Sequence, residues 1–370
     1  MAGLYIHIPF CKSRCIYCGF YSTVGLHLHH RYIDAVCHEW QLRKDELKEP
    51  IETIYLGGGT PSSLTSEQLA RLFNALPITS SLQEVTIECN PDDITPAFAA
   101  TLAQLPVNRV SMGAQTFDDN RLHYLHRRHT ASQVPQAVTH LRQAGIRNIS
   151  VDLMYGFPGE TLKDWQYDID QALALDVEHL SAYCLMIEEG TVLFEQLKMK
   201  DEKLNILDEE LERAMYELLI DQLTAAGYEH YEISNFARPG FRSRHNSSYW
   251  HDVPYIGLGA AAHSYDLKSR SWNVADIQQY IEHIERNALP FEREVLDADT
   301  RYNDRVTTAL RTSDGLDLTT LSAHHRRHCL KEAQQFIENG MLHLVENRLI
   351  LTRQALFVSD MVMSNLMVVI

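Results

Sequence analysis

Short apolar runs recur along the first half of the chain, and each is followed by a stretch long enough for a helix. LYIHI (4–8), TIYLG (53–57), EVTIE (84–88), RVSMGAQ (109–115), NISVDLM (148–154) and HLSAYCL (179–185) each read as a buried strand. Between them lie segments such as TSEQLARLFNALP, with helical spacing and Thr65 or Ser66 as the N-cap. Alternation of this kind predicts βαβ units and a parallel sheet. Polar and glycine-rich segments repeatedly follow the strand ends, so six repeats up to residue 185 fit a partial (βα)6 TIM-like barrel better than a doubly wound sheet. Chemistry is then expected at the C-terminal ends of the strands.

After residue 187 the pattern changes. Residues 208–227 predict an amphipathic helix with Leu211, Met215, Leu218, Leu219 and Leu223 on one face and Gly227 just past its end. A glycine- and aromatic-rich region follows, and beyond Pro290 the tail is more helical. GMLHLVENRLILT (340–352) places two apolar runs around ENR, which predicts a hairpin in a small winged-helix-like C-terminal domain. The expected partition is a barrel core over 1–235, a connecting region over 236–290 and a C-terminal helical domain over 291–370.

With 370 residues, 45% of them hydrophobic, the chain can bury a large core. A net charge of −16 argues against nucleic acid as a partner, since phosphate binding depends on Lys and Arg. No run of eighteen apolar residues predicts a membrane span, and the first ten residues read as a strand rather than a signal peptide. Of the seven cysteines, Cys37, Cys89, Cys184 and Cys329 are scattered singly, a pattern that does not suggest a disulfide framework and points to the reducing cytoplasm.

The other three stand together in FCKSRCIYCGFYS, as Cys11, Cys15 and Cys18, with Phe20 at the next alternate position. A zinc site normally closes with four ligands, and an ordinary 4Fe-4S cluster also takes four thiolates. Three thiolates leave one iron open to the amino and carboxylate groups of a small molecule. A zinc site completed by a distant histidine, and three unrelated core thiols, are the alternatives.

Four further motifs follow in order: YLGGGTPS (55–62), ECNP (88–91), SMGAQTFDDNRLHYLHR (111–127) and VDLMYGFPGET (151–161). With the cysteines, they make the chain resemble the radical S-adenosylmethionine (SAM) family over nearly its whole length. The resemblance implies a 4Fe-4S cluster on Cys11, Cys15 and Cys18. It also implies a SAM site lined by Tyr5, Tyr17, Gly58, Gly59, Thr60, Glu88, Gln115, Arg127 and Asp152. Glycines let backbone groups approach a ligand, and Glu88 is placed to pair with an ammonium group. Arg127 and Asp152 could equally form a structural ion pair.

Within that family the chain resembles two groups. Oxygen-independent coproporphyrinogen III dehydrogenases, which oxidatively decarboxylate two propionates, carry a fourth cysteine where this chain has Phe20. HemW-type haem chaperones have an aromatic residue there and a His-Asn-x-x-Tyr-Trp motif, matched here by His245, Asn246, Tyr249 and Trp250. Residues 236–290 then become the haem-motif region. A neutral imidazole is a good axial ligand, aromatic rings stack on a macrocycle, and Asn246 could orient the imidazole. His245 packed under a loop is the bland reading, with His251 and His263 as nearby alternatives; the runs HLHH (27–30) and HHRRH (324–328) read as solvated helix faces. The resemblance favours a non-enzymatic haem chaperone that delivers haem to an acceptor, membrane-bound respiratory proteins among the candidates, without inserting into the membrane itself. The alternative is the dehydrogenase.

Overall fold

A computed structural model describes residues 1–199 and 208–369. All six expected strands are present: β1 (Ala2–Ile8), β2 (Ile51–Gly58), β3 (Glu84–Cys89), β4 (Arg109–Gln115), β5 (Asn148–Tyr155) and β6 (His179–Cys184). They lie side by side in chain order and run parallel, with helices in the crossovers. The helix of the second crossover confirms the local reading: Thr65 caps Ser66–Ala75 through a reciprocal box with Gln68.

Each strand is two-faced, although both faces are buried. Leu4, Ile6, Ile54, Leu56, Val85, Ile87, Val110, Met112, Ile149 and Val151 pack under the helices as one apolar layer. The alternate positions carry Tyr5, His7, Thr53, Tyr55, Thr86, Glu88, Arg109, Ser111, Ser150, Asp152, His179 and Ser181. These polar side chains bond to one another across the interior: Tyr55 to Glu88, Ser111 to Asp152 and Ser150 to His179. Parallel strands buried on both faces usually read as continuous apolar runs; here the alternation marks a polar interior.

The sheet does not stop at six strands. β7 (Glu229–Glu232) and β8 (Asn235–Ala237) extend it antiparallel beyond β6. β9 (Tyr255–Leu258) pairs parallel to β1, and β10 (His263–Tyr265), β11 (Ser269–Asn273) and β12 (Phe291–Val295) continue it antiparallel. The described residues thus form one 12-stranded sheet in the order β12-β11-β10-β9-β1-β2-β3-β4-β5-β6-β8-β7. Sequence patterning does not mark β9–β12, because these strands are short and interleaved with glycine and polar residues.

The Glu209–Ala225 helix is capped by Asp208, and Gly227 follows it with a positive φ of 88°. It buries Met215, Leu219 and Leu223, with Leu211 and Leu218 at the margin of the same core. At the C-terminus β13 (Leu316–Asp317), β14 (Leu342–Val345) and β15 (Arg348–Leu351) form a separate three-stranded sheet around the expected hairpin. Tyr302, Val306, Cys329, Phe336, Leu349 and Val362 form its own apolar core.

Two histidine runs differ from their reading as solvated faces. His29 is buried with its ring 4.0 Å from that of Phe10, and His325 is buried against Tyr302 while its Nε2 meets Asp299 at 2.8 Å. Composition hides the distinction, because the buried position in each run is decided by which face meets the core. All seven cysteines are free thiols. No helix among the described residues is long and apolar enough to cross a membrane.

Candidate functional site

The cysteine loop leaves the end of β1 and is pinned on both sides. Cys11 N–H donates to Thr23 O (2.9 Å), and Ile16 N–H donates to Leu125 O (3.2 Å). Ile16 also buries itself in a small apolar cluster with Leu125, Phe157 and Leu193, and Tyr17 packs at its margin. These anchors leave the thiols on the rim. Thr60 Oγ1 donates to Cys11 Sγ (3.6 Å) and Arg127 Nη1 to Cys15 Sγ (3.5 Å). Burial raises the pKa of Cys11 and Cys18, and the neighbouring cysteines raise both further. Among the described residues no three His, Cys, Asp or Glu side chains gather closely enough to hold a single ion. Two of the three sulfurs accept hydrogen bonds, from Thr60 and Arg127, and cysteines ligate a cluster's irons as thiolates, a form that such donors favour.

The glycine-rich turn brings β2 to this loop. Gly58 has φ +109°, and a Cβ there would lie 2.5 Å from the His7 ring; one on Gly59 would lie 2.8 Å from Phe10 O. Only glycine permits that approach. It carries Thr60 to Cys11, with Gly59 N–H donating to Ile8 O and Thr60 N–H to Phe10 O, both at 2.8 Å.

Glu88 stands at the end of β3 and accepts hydrogen bonds from Tyr55 Oη (2.7 Å) and Gly58 N (3.1 Å). Burial, reinforced by the nearby Asp152, pushes its carboxyl up to about 7. Among the described residues no Lys, Arg or His side chain forms an ion pair with it. A carboxylate so placed suits the ammonium of an amino acid. Tyr5 closes the neighbouring wall, its ring 6.2 Å from that of Tyr55 and its hydroxyl donating to His7 Nδ1 at 3.0 Å. Burial raises the Tyr5 and Tyr17 hydroxyls well above their ordinary range.

Gln115 ends β4 in the left-handed region, φ +67°, at an irregularity in the pairing with β5. A non-glycine residue held there stores strain of a kind found at functional sites. Arg127 reaches the same place: Nη2 donates to Gly113 O (2.6 Å) and Asn90 Oδ1 (2.7 Å), and its buried Nε has no protein partner. Asp152 accepts from Ser111 Oγ (3.3 Å), and burial raises its pKa. Arg127 and Asp152 therefore bind other groups and do not pair with each other. His7 and Asn90 join the site without having been singled out from sequence. The signal for His7 is its polar position in an apolar strand; for Asn90 it is its place within ECNP.

The histidine motif lies elsewhere. It forms the short helix Arg244–Trp250, whose backbone N–H groups at Arg244 and His245 donate to Glu84 at the start of β3 (2.8 and 2.9 Å). His245 is fully buried beside Gly3 and Thr53, at the N-terminal ends of β1 and β2. Five residues of strand separate Gly3 from Ile8, so the motif sits roughly 16 Å below the rim. Both ring nitrogens are engaged, Nδ1 with Thr53 Oγ1 (2.8 Å) and Nε2 with Tyr249 Oη (2.9 Å), and the ring stacks on Tyr55 at 5.2 Å. Thr53 and Tyr249, not Asn246, thus orient the imidazole; half-buried Asn246 meets Ser243 through its backbone. Burial, with Arg109 nearby, lowers the His245 pKa to about 3. Trp250 lies under the Arg311 guanidinium (5.2 Å), which joins the motif to the C-terminal unit. His251 is held by Ser247 O (2.7 Å) and Asp314 (3.1 Å), whereas His263 is exposed on the rim beside Trp272.

Residues 5–172 match the model of the Radical SAM superfamily. The chain is 34% identical to the heme chaperone HemW of Bacillus subtilis over 96% of both chains. It is 36% identical to the heme chaperone HemW of Lactococcus lactis, covering 84% of this chain and 82% of that one. Among solved structures, the radical SAM enzyme coproporphyrinogen III oxidase (HemN) of Escherichia coli superposes with a TM-score of 0.85 at 21% identity, over 99% of this chain and 89% of the other.

Proposed function

The chain belongs to the HemW family of radical SAM proteins, and from that premise we propose that it binds haem in the cytoplasm and delivers it to an acceptor protein. The family implies a 4Fe-4S cluster and SAM. In our reading Cys11, Cys15 and Cys18 hold the cluster, and Tyr5, Tyr17, Gly58, Gly59, Thr60, Glu88, Gln115, Arg127 and Asp152 line the SAM site. When bound, this pair supplies one-electron redox chemistry.

The chain's own residues divide the remaining work. Glu88 receives an ammonium, the Gly58–Thr60 turn offers close backbone, and Arg127 holds the Cys15 side of the loop while keeping Nε available to an anionic group. Tyr5 and Tyr17 exclude water from the two flanks. His245, Asn246, Tyr249 and Trp250 enter under a condition set by geometry: His245 meets an iron only by giving up Thr53 or Tyr249.

The observation that carries the chaperone reading over the dehydrogenase is Phe20. It replaces the fourth cysteine of those enzymes and stands 71% exposed on the cysteine loop, where it gives no ligand. The test has two arms on anaerobically reconstituted protein. Haem added to the full chain is expected to give a saturable Soret band, and coproporphyrinogen III is expected to yield no protoporphyrinogen. Steady turnover of the porphyrinogen makes the protein an enzyme and sinks the reading.

A further inference from the structure

Beside the rim, where β9 passes into β10, the surface opens into a cavity of about 540 Å³ lined by His263, Trp272, His283, Leu289, Pro290 and Phe291, among others. Its size falls within the range of sites that take drug-sized and cofactor-sized ligands. Two imidazoles and an indole around one partly apolar cleft match the chemistry of a flat macrocycle with a metal at its centre. We propose that this cleft is where haem is taken up, with His263 or His283 as the iron ligand and the Trp272 indole against the ring; the Phe291 ring faces away, under the Arg43 guanidinium. The proposal rests on the chaperone reading and assigns it a site other than the histidine motif.

Availability decides between the histidines. His245 is fully buried and both its nitrogens are bonded. His263 makes no hydrogen bond through its ring among the described residues, and its ring lies 6.1 Å from that of Trp272. Burial and the nearby Arg270 hold its pKa below the ordinary value, which favours the neutral, ligating form. His283 Nδ1–H donates to Gln279 O at 2.7 Å, so the lone pair is on Nε2. Glu292 also lines the cleft, so anionic propionates would be favoured away from its carboxylate.

The cleft also adjoins the cysteine loop. His7 Nε2–H donates to Tyr21 O (2.9 Å), and Tyr21 Oη accepts from the N–H of Ile277 (2.7 Å). Ile277 opens the helix Ile277–Glu285, which carries His283. The bonds His7–Tyr21–Ile277 thus tie the start of the helix that carries His283 to the cysteine loop and the first strand.

A haem titration of the full chain tests this, comparing wild type with His263→Ala, His283→Ala, the double variant and His245→Gln. Both cavity histidines are exposed, so their variants are expected to keep the wild-type melting temperature. Loss of one iron ligand is expected to weaken binding about tenfold or more and to shift the Soret band, and the double variant is expected to lose the band. His245→Gln is expected to keep it. Trp272→Ala is expected to weaken binding without moving the band. A double variant that binds haem as the wild type does overturns the proposal. A wild-type chain that binds no haem overturns the chaperone reading itself, which separates the two failures.

Discussion

The cysteine loop and the histidine motif are both ligand sets when read as spacing, yet the fold gives them opposite surroundings. The three thiols stand on the rim, held there by backbone anchors at Cys11 and Ile16, and the Cys11 and Cys15 sulfurs each accept a bond, from Thr60 and Arg127. The His245 ring lies at the other end of the interior, with both nitrogens satisfied by Thr53 and Tyr249 and one face on Tyr55. A buried imidazole satisfied in this way contributes to stability by its hydrogen bonds and packing. Spacing states which residues travel together; it is silent on which atoms remain free.

The largest effect that can break this contrast is at the cysteines. Replacing Cys11, Cys15 or Cys18 by Ser is expected to abolish the broad visible absorption of anaerobically reconstituted protein. Iron and sulfide content equal to wild type would show that the loop holds no cluster.

The next test concerns the floor. His245→Ala removes two buried hydrogen bonds and leaves a void, and is expected to cost about 3 kcal/mol, read as a lower denaturant midpoint. The pH dependence follows from the low pKa of His245. An imidazole that stays neutral in the fold down to about 3, but protonates near its ordinary value when unfolded, favours folding above that ordinary value. Stability is gradually lost as pH falls below about 6.5, and the variant is expected to lack this part of the acid sensitivity. A variant as stable as wild type with an unchanged acid profile would show that the ring is not the structural element described.

A smaller effect sharpens the rim. Glu88, with its carboxyl near 7, must release a proton to pair with an ammonium. SAM affinity, measured by calorimetry on reconstituted protein, is therefore expected to fall toward about tenfold per pH unit below 7 and to level off above it. Glu88→Gln is expected to bind more weakly and to lose that slope. A flat profile in the wild type would remove Glu88 from the ammonium site.

Much of the architecture is legible in the chain because its signals are local. Six apolar runs with helical crossovers specify the parallel strands, and Thr65 with Gln68 specifies a helix start. The two faces of the strands are not: His7, Tyr55, Glu88, Arg109 and Asp152 sit within runs that read as apolar and buried, and the interior shows that they share one face. Nor is the extension through β9–β12, since its pairing to β1 is a long-range contact between short strands. His29 and His325 show the same limit on a smaller scale, because only the packed partner tells a buried histidine from a solvated one.

By itself, the sequence determined the cysteine trio, the glycine turn and the order of the six strands, since each depends on residues close together along the chain. Only the tertiary structure decided which histidines are free. That outcome depends on Thr53 and Tyr249 closing on His245 across 192 and 4 residues, and on β10, β11 and the Ile277–Glu285 helix leaving His263 and His283 open around one cleft. Availability is a property of neighbours in space, and most of those neighbours are far apart in the chain.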